Sequence, residues 1–120
     1  MGKICTDLEQ SRKLLSLGID KNTADMRYFS DGYNPTKLDV GYSAEDAKFY
    51  RGTKNEYIPA WSLTALVKLT LYGNLAFGDK GFWMVYNGKK RIASQTYDEP
   101  IDAVFEMVCW LLENGYIKKV

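Results

Sequence analysis

Three carboxylates near the C-terminus have a spacing that could serve chemistry. Asp102, Glu106 and Glu113 recur at i, i+4 and i+11 with Cys109 between them, so a helix would place them on one side. They could bind a cation through oxygen ligands or work as an acid/base pair. Either use needs polar groups from other segments, which nothing in the sequence indicates. We therefore interpret this side as a solvated face and Cys109 as a small apolar residue at the core margin.

Histidine is absent from the chain. The Ser-His-Asp triad, the Cys-His pair and the HExxH zinc site all require it, so this chain cannot assemble them by itself. The phosphate-binding loops GxxxxGK[ST] and GxGxxG do not occur either. Gly78-Asp79-Lys80-Gly81 matches the GXXG of KH domains, but that loop joins two helices and a strand is expected here. We expect no enzymatic activity, no cofactor and no metal site.

A basic run lies beside aromatic residues in the segment 83–91. Lys89, Lys90 and Arg91 follow Trp83 and Tyr86, and such a group could hold a phosphate backbone while a ring stacks on a base. Lysines at the tips and edges of sheets also block edge pairing and keep proteins soluble. We favour the second role and keep single-stranded nucleic-acid binding as an alternative function.

The C-terminal segment is predicted to be a helix over 100–114 with two apolar faces. Pro100 suits its first turn and Gly115 its end. One face is a wide core stripe made of Ile101, Val104, Phe105, Val108, Leu111 and Leu112. Behind it lie Ala103, Met107 and Trp110, which must meet either the first helix or another protein. We take these three, with Tyr86, as candidate interaction residues.

The composition is that of an apolar chain with balanced charge. Its 120 residues are 46% hydrophobic and 14% aromatic, which is typical of one folded domain and not of a disordered chain. Sixteen basic and fifteen acidic residues give a net charge of +1, so no global field attracts nucleic acid or a membrane. Two distant cysteines and the lack of a long apolar segment favour a soluble, cytoplasmic protein without membrane contact.

The N-terminal segment carries a helix signal. Thr6-Asp7-Leu8-Glu9 has the form of a T-x-x-E capping box, with Thr6 as the cap. It predicts a helix from Asp7 to Leu17 that Gly18 ends, with Leu8, Ser11 and Leu15 on one face and Leu14 and Leu17 broadening it.

The next segments are less regular. Residues 23–29 alternate imperfectly and predict a short strand. Glycine, proline and tyrosine dominate residues 30–56, which predict a loop containing one short helix from Ser43. Ser62 then caps a helix over 63–72 that Gly73 ends.

A β-hairpin is predicted around Asn87-Gly88, the strongest short hairpin signal. Its strands are 82–86 and 90–97, and a two-residue turn would place Trp83 opposite Ile92. Because both faces carry large apolar groups, the sheet needs cover on both sides or from a partner chain.

A family resemblance rests on two segments. Residues 58–63 (IPAWSL) and 103–117 (AVFEMVCWLLENGYI) are its most specific parts. They resemble a family of small uncharacterised proteins of gut bacteria and their phages, and the order of elements is similar to the phage α-β-α sandwich domain. The resemblance covers residues 5–27 and 57–117 and implies a fold without any site residues. Residues 30–56 depart from the pattern and are interpreted as an insertion.

Together these patterns predict one α+β domain over residues 1–120. We expect a small antiparallel sheet centred on the hairpin, with helices in an α-β-α arrangement. The leading functional hypothesis is a non-enzymatic accessory protein of phage or mobile-element origin. It would act through protein–protein contacts as a homodimer, using helix 100–114 or an aromatic sheet face.

Overall fold

The computed structural model describes residues 3–29, 39–42, 58–70, 73–86 and 90–120. Within these ranges the helices are α1 (Leu8–Ser16), α2 (Leu63–Leu69) and α3 (Pro100–Glu113). The strands are β1 (Met26–Phe29), β2 (Asp39–Tyr42), β3 (Ile58–Ala60), β4 (Gly73–Gly78), β5 (Gly81–Tyr86) and β6 (Lys90–Tyr97). A 3₁₀ turn at Lys21–Thr23 precedes β1. The predicted α+β class is confirmed.

The strands form two antiparallel sheets of three strands each. The first has the order β2-β1-β3, with Met26 of β1 opposite Tyr42 and Ala60. The second has the order β4-β5-β6, so the predicted hairpin supplies its central strand. The first sheet was not predicted, because β2 lies in the segment interpreted as a loop. The rest of that segment, including the short helix predicted from Ser43, lies outside the described residues.

α3 is the centre of the main core. The whole predicted core stripe is buried, and so are Ala103 and Met107 behind it. α2 packs against this helix, as do β4, β5 and β6 of the second sheet. A helix with two apolar faces must be covered on both, and here elements of the same chain provide much of that cover. Pro100 and Gly115, at a φ of 78°, bracket the helix as predicted.

α1 begins with a capping box that is displaced by one residue from the predicted one. Asp7 accepts a hydrogen bond from the Gln10 amide at 2.8 Å, and the Gln10 side chain accepts one from the Asp7 amide at 3.0 Å. Thr6, the predicted cap, is buried and accepts a hydrogen bond from the Trp61 amide at 3.1 Å. The prediction was wrong because a distant segment uses the Thr6 hydroxyl.

The buried side of α1 matches the predicted face in part. Ser11 and Leu14 are buried, whereas Leu15 is exposed and Leu8 and Leu17 are half-buried. Gly18 follows the helix with a φ of 91°, the left-handed conformation predicted for it.

α2 begins at its predicted cap. The Ser62 hydroxyl accepts a hydrogen bond from the Ala65 amide at 3.2 Å. The Asp25 carboxylate in turn accepts from the Ser62 amide at 2.9 Å and from its hydroxyl. The helix ends at Leu69, earlier than the predicted range of 63–72, and residues 71–72 lie outside the described part.

β5 and β6 form the predicted hairpin in a register shifted by one residue. Tyr86 pairs with Lys90 and Met84 with Ile92, whereas the prediction placed Trp83 opposite Ile92. The paired ends are therefore separated by residues 87–89, which lie outside the described residues. The prediction of a two-residue turn was wrong. The predicted cross-strand partners were therefore wrong as well.

Gly73 lies where a side chain would collide with α3. It was predicted to stop a helix, but it is the first residue of β4. A Cβ at this position would lie 2.3 Å from the Met107 sulfur and 3.0 Å from Thr70 Cβ. We expect Gly73→Ala to lower the free energy of unfolding by about 1–3 kcal/mol, the usual cost of overpacking. Urea denaturation measures this change.

A Met107→Ala background supplies the control. The same glycine substitution should cost less there because the colliding sulfur is gone, so the two substitutions should couple in a double-mutant cycle. Strictly additive effects would contradict the close packing of Gly73 on Met107.

Candidate interaction surface

The residues predicted to form a second apolar face of α3 are largely covered by the chain itself. Ala103 and Met107 are buried, and the Met107 sulfur points toward Gly73 at the start of β4. Trp110 is half-buried, with its ring centroid 5.4 Å from that of Tyr86 on β5. Two of the candidate interaction residues, Trp110 and Tyr86, therefore lie together. Ala103 and Met107 are buried within the chain, so of the two alternatives for this face, contact within the chain or with another protein, the structure shows the first for these two residues.

Trp110, Tyr86 and Tyr116 form an aromatic cluster at the end of α3. The Trp110 and Tyr116 rings are stacked at 5.4 Å with an interplanar angle of 15°, and Tyr116 also contacts Tyr86 at 5.4 Å. Aromatic pairs of this kind contribute about 0.5–1.5 kcal/mol each beyond their burial. The cluster therefore fixes the chain after α3 against the sheet, and the 57% exposed Tyr116 covers Trp110.

The basic residues of the hairpin are described only in part. The backbones of Lys90 and Arg91 belong to β6, opposite Tyr86 and Val85. The side chains of both, and the whole of Lys89, lie outside the described residues. Nucleic-acid binding by this group stays a prediction.

Asp102 belongs to a network that joins the N-terminal segment to α3. Its carboxylate accepts hydrogen bonds from the Lys3 ammonium and from the Gln10 side-chain amide, both at 2.7 Å. Lys3 also contacts Asp7 at 3.3 Å, and its backbone amide donates to the Glu99 carboxylate at 3.1 Å. Desolvation works against the charge of Lys3, but the bonds to Asp102 and Asp7 outweigh it and raise its pKa. Asp102 thus holds α1 against α3.

The predicted carboxylate side is not gathered into one site. Glu106 borders the same groove as Asp102, a cleft of about 370 Å³ between α1 and α3. Glu113 is exposed at the far end of the helix, and Cys109 between them is buried. Among the residues that the structure describes, no three acidic or cysteine side chains converge in a way that could hold a metal ion.

Both cysteines are buried and held as thiols. Desolvation raises the pKa of Cys109 to about 12, with minor contributions from neighbouring charges. Desolvation also raises the pKa of Cys5, although a contact of 3.6 Å with the Tyr28 hydroxyl works in the other direction. Because the thiolate is the nucleophilic form, neither side chain is activated for attack near neutral pH.

The most exposed apolar feature of the second sheet is β4, which the sequence interpretation missed. β4 pairs with β5 from Gly73 opposite Tyr86 to Gly78 opposite Gly81. It lies at one edge, and within the described ranges β5 is its one pairing partner. Leu75 is 39% exposed and Phe77 is 72% exposed.

A local signal for this strand exists in the sequence. Leu75 and Phe77 alternate with small or polar residues, and the segment lies between Gly73 and the turn residues Asp79-Lys80. Gly81 follows that turn with a φ of 127°, where a Cβ would lie 2.5 Å from the Tyr97 carbonyl oxygen. The GXXG match at residues 78–81 is therefore a tight hairpin connection.

No helix in the described ranges has the length and apolar character that crossing a bilayer requires. No protein-family model, curated protein or solved structure matches the chain. The resemblance to proteins of gut bacteria and their phages therefore stays a prediction.

Cys109 generates a pH dependence of stability. Its pKa is about 12 in the folded chain and near 9.0, the ordinary value, in the unfolded chain. The contribution of the buried thiol is therefore complete below about pH 9 and is lost as the pH rises toward 12, because the unfolded chain ionises first.

Denaturation by urea at about pH 8 and about pH 10.5 tests this dependence. The wild-type protein should lose more stability between the two values than Cys109→Ala, which has no thiol to titrate at this position. Equal losses in the two proteins would contradict the raised pKa.

Proposed function

We propose that the protein is a non-enzymatic accessory protein that acts by binding another protein chain through β4. The contact surface, here named the β4 edge, consists of Leu75, Ala76 and Phe77 together with the strand's outward backbone groups. The observation that carries the proposal is the 72% exposure of Phe77 on a strand at the edge of its sheet. Origin from a phage or another mobile element is part of the proposal.

The composition of β4 supports a role in binding. An edge strand presents backbone donors and acceptors that can pair with another chain, and soluble proteins usually block them with charged residues, proline or a bulge. β4 has the sequence Gly-Asn-Leu-Ala-Phe-Gly, with no charge and no proline. Its register with β5 runs without a shift. The strand therefore lacks the usual protections against edge pairing.

The position of Phe77 supports the same role. Its ring centroid lies 4.9 Å from that of Phe82 on the neighbouring strand, at an angle of 46°. This contact holds the ring in place before a partner arrives, so little side-chain entropy is lost on binding. Complete burial of a phenylalanine side chain contributes about 1.5–3 kcal/mol.

Several polar groups of the described residues that could serve catalysis are engaged in structural contacts. Asp102 binds Lys3 and Gln10. Asp25 binds the cap of α2, and the thiols of Cys5 and Cys109 are buried. Structural contacts therefore explain the presence of these side chains without any catalytic role. This favours a binding function over an enzymatic one.

Site-specific photo-crosslinking in the cells that produce the protein tests the proposal. Phe77→benzoylphenylalanine keeps an aromatic ring at the β4 edge and reacts with whatever lies against it. We expect a discrete crosslinked band that contains a second polypeptide, either another protein or a second copy of this one.

Val67→benzoylphenylalanine is the matched control. Val67 is an apolar residue of α2 with 45% exposure, so it reports on random encounters. Crosslinking at position 77 that does not exceed that at position 67 would overturn the proposal.

A further inference from the structure

The chemistry of the β4 edge restricts what can cover it. A partner strand must offer backbone groups and apolar side chains, and it gains nothing from charge because residues 73–78 carry none. β4 of a second copy meets these requirements, since an uncharged strand meets no like-charge repulsion from itself. Homo-oligomers most often form through such self-complementary contacts across a two-fold axis.

Symmetry limits the registers in which two copies of β4 can pair. Side chains directly opposite each other in an antiparallel pair point to the same face of the sheet. A two-fold axis perpendicular to the sheet places α3 of both copies on the same face of the combined sheet. Each residue of β4 can therefore lie opposite only a residue whose side chain points to the same face. Near the middle of the strand the axis must therefore pass through Leu75 or through Ala76.

The two registers differ in what they cover. With the axis at Leu75, Phe77 would oppose Gly73, which has no side chain to contact the ring. With the axis at Ala76, each Leu75 opposes Phe77 of the second copy, and the small alanines meet at the centre. The second register covers both exposed apolar residues of the strand, and each aromatic–aliphatic pair across the axis stabilises the contact.

We infer that β4 pairs antiparallel with β4 of a second copy of this chain, across a two-fold axis at Ala76. The dimer then contains one continuous sheet in the order β6-β5-β4-β4-β5-β6. This inference rests on the proposed function, because it names the occupant of the β4 edge.

Disulfide trapping tests the register. Residues directly opposite in an antiparallel pair have Cα atoms about 4.5–5.5 Å apart, within the range that a disulfide spans. Ala76→Cys should therefore give a covalent dimer on mild oxidation that reduction reverses. The native cysteines, Cys5 and Cys109, are buried and should not contribute.

Lys80→Cys is the control for collision. Lys80 is an exposed residue of the β4–β5 turn, four positions from the axis. It should crosslink only at the background rate of any exposed thiol. A yield at position 76 that does not exceed the yield at position 80 would overturn the inferred register.

Sedimentation equilibrium tests whether the contact holds two copies together in solution. The wild-type protein should sediment as a dimer, and Phe77→Lys should raise the dissociation constant by about 100-fold or more, because the symmetric dimer loses two buried phenylalanine side chains, one from each copy. Val67→Lys adds the same charge at another exposed apolar position and should leave it unchanged. Circular dichroism confirms that each variant is folded, and the trapping experiment needs neither lysine variant.

The outcomes separate this inference from the proposed function. The wild-type protein could sediment as a monomer while position 77 crosslinks to a different protein in cells. That result would overturn the inference that a second copy covers the β4 edge, and the proposed function would still stand. A dimer that is unaffected by Phe77→Lys would place the contact elsewhere and overturn the inference. The absence of crosslinks in cells would remove the proposed function itself.

Discussion

Nine of the fourteen residues of α3 are buried, and they lie on two apolar faces that both need to be covered. This requirement organises the rest of the structure. α2 and the second sheet pack against α3, and Lys3 and Gln10 tie the N-terminal segment to Asp102 in its first turn. Elements of the same chain thus cover most of the apolar surface of α3. The exposed apolar residues of β4, Leu75 and Phe77, lie outside this packing, at the β4 edge.

Trp61 connects the first sheet to this core. Its fully buried ring packs in the cluster around α3. Its backbone amide and carbonyl both bond to Thr6, at 3.1 and 2.9 Å, and its indole donates to the Thr23 hydroxyl at 2.9 Å. A buried tryptophan is stable only when its polar atoms find partners. These bonds therefore fix the N-terminal segment, the turn before β1 and the start of α2 relative to one another.

The sequence identified features that depend on neighbouring residues and missed those that depend on distant ones. α3, the cap of α2 and the hairpin all carry local signals. By contrast, Thr6-x-x-Glu9 and Asp7-x-x-Gln10 are equally good capping patterns, and the choice between them depends on Trp61. Periodicity likewise identified two apolar faces on α3 but could not show that Gly73 leaves space for Met107. β4 was missed although Leu75 and Phe77 alternate with small or polar residues, because Gly73 was interpreted as the end of α2 and Gly78 as part of a GXXG match.

The central claim is that the chain covers α3 with its own elements and leaves the β4 edge for a second copy of itself. Hydrogen exchange measured at low and high protein concentration tests both halves at once, because protection follows hydrogen bonding and burial. The claim predicts strong protection of the α3 amides at every concentration. The outward amides of β4 should become protected only as the concentration rises. Protection of α3 that depends on concentration, or β4 amides that exchange equally fast throughout, would contradict it.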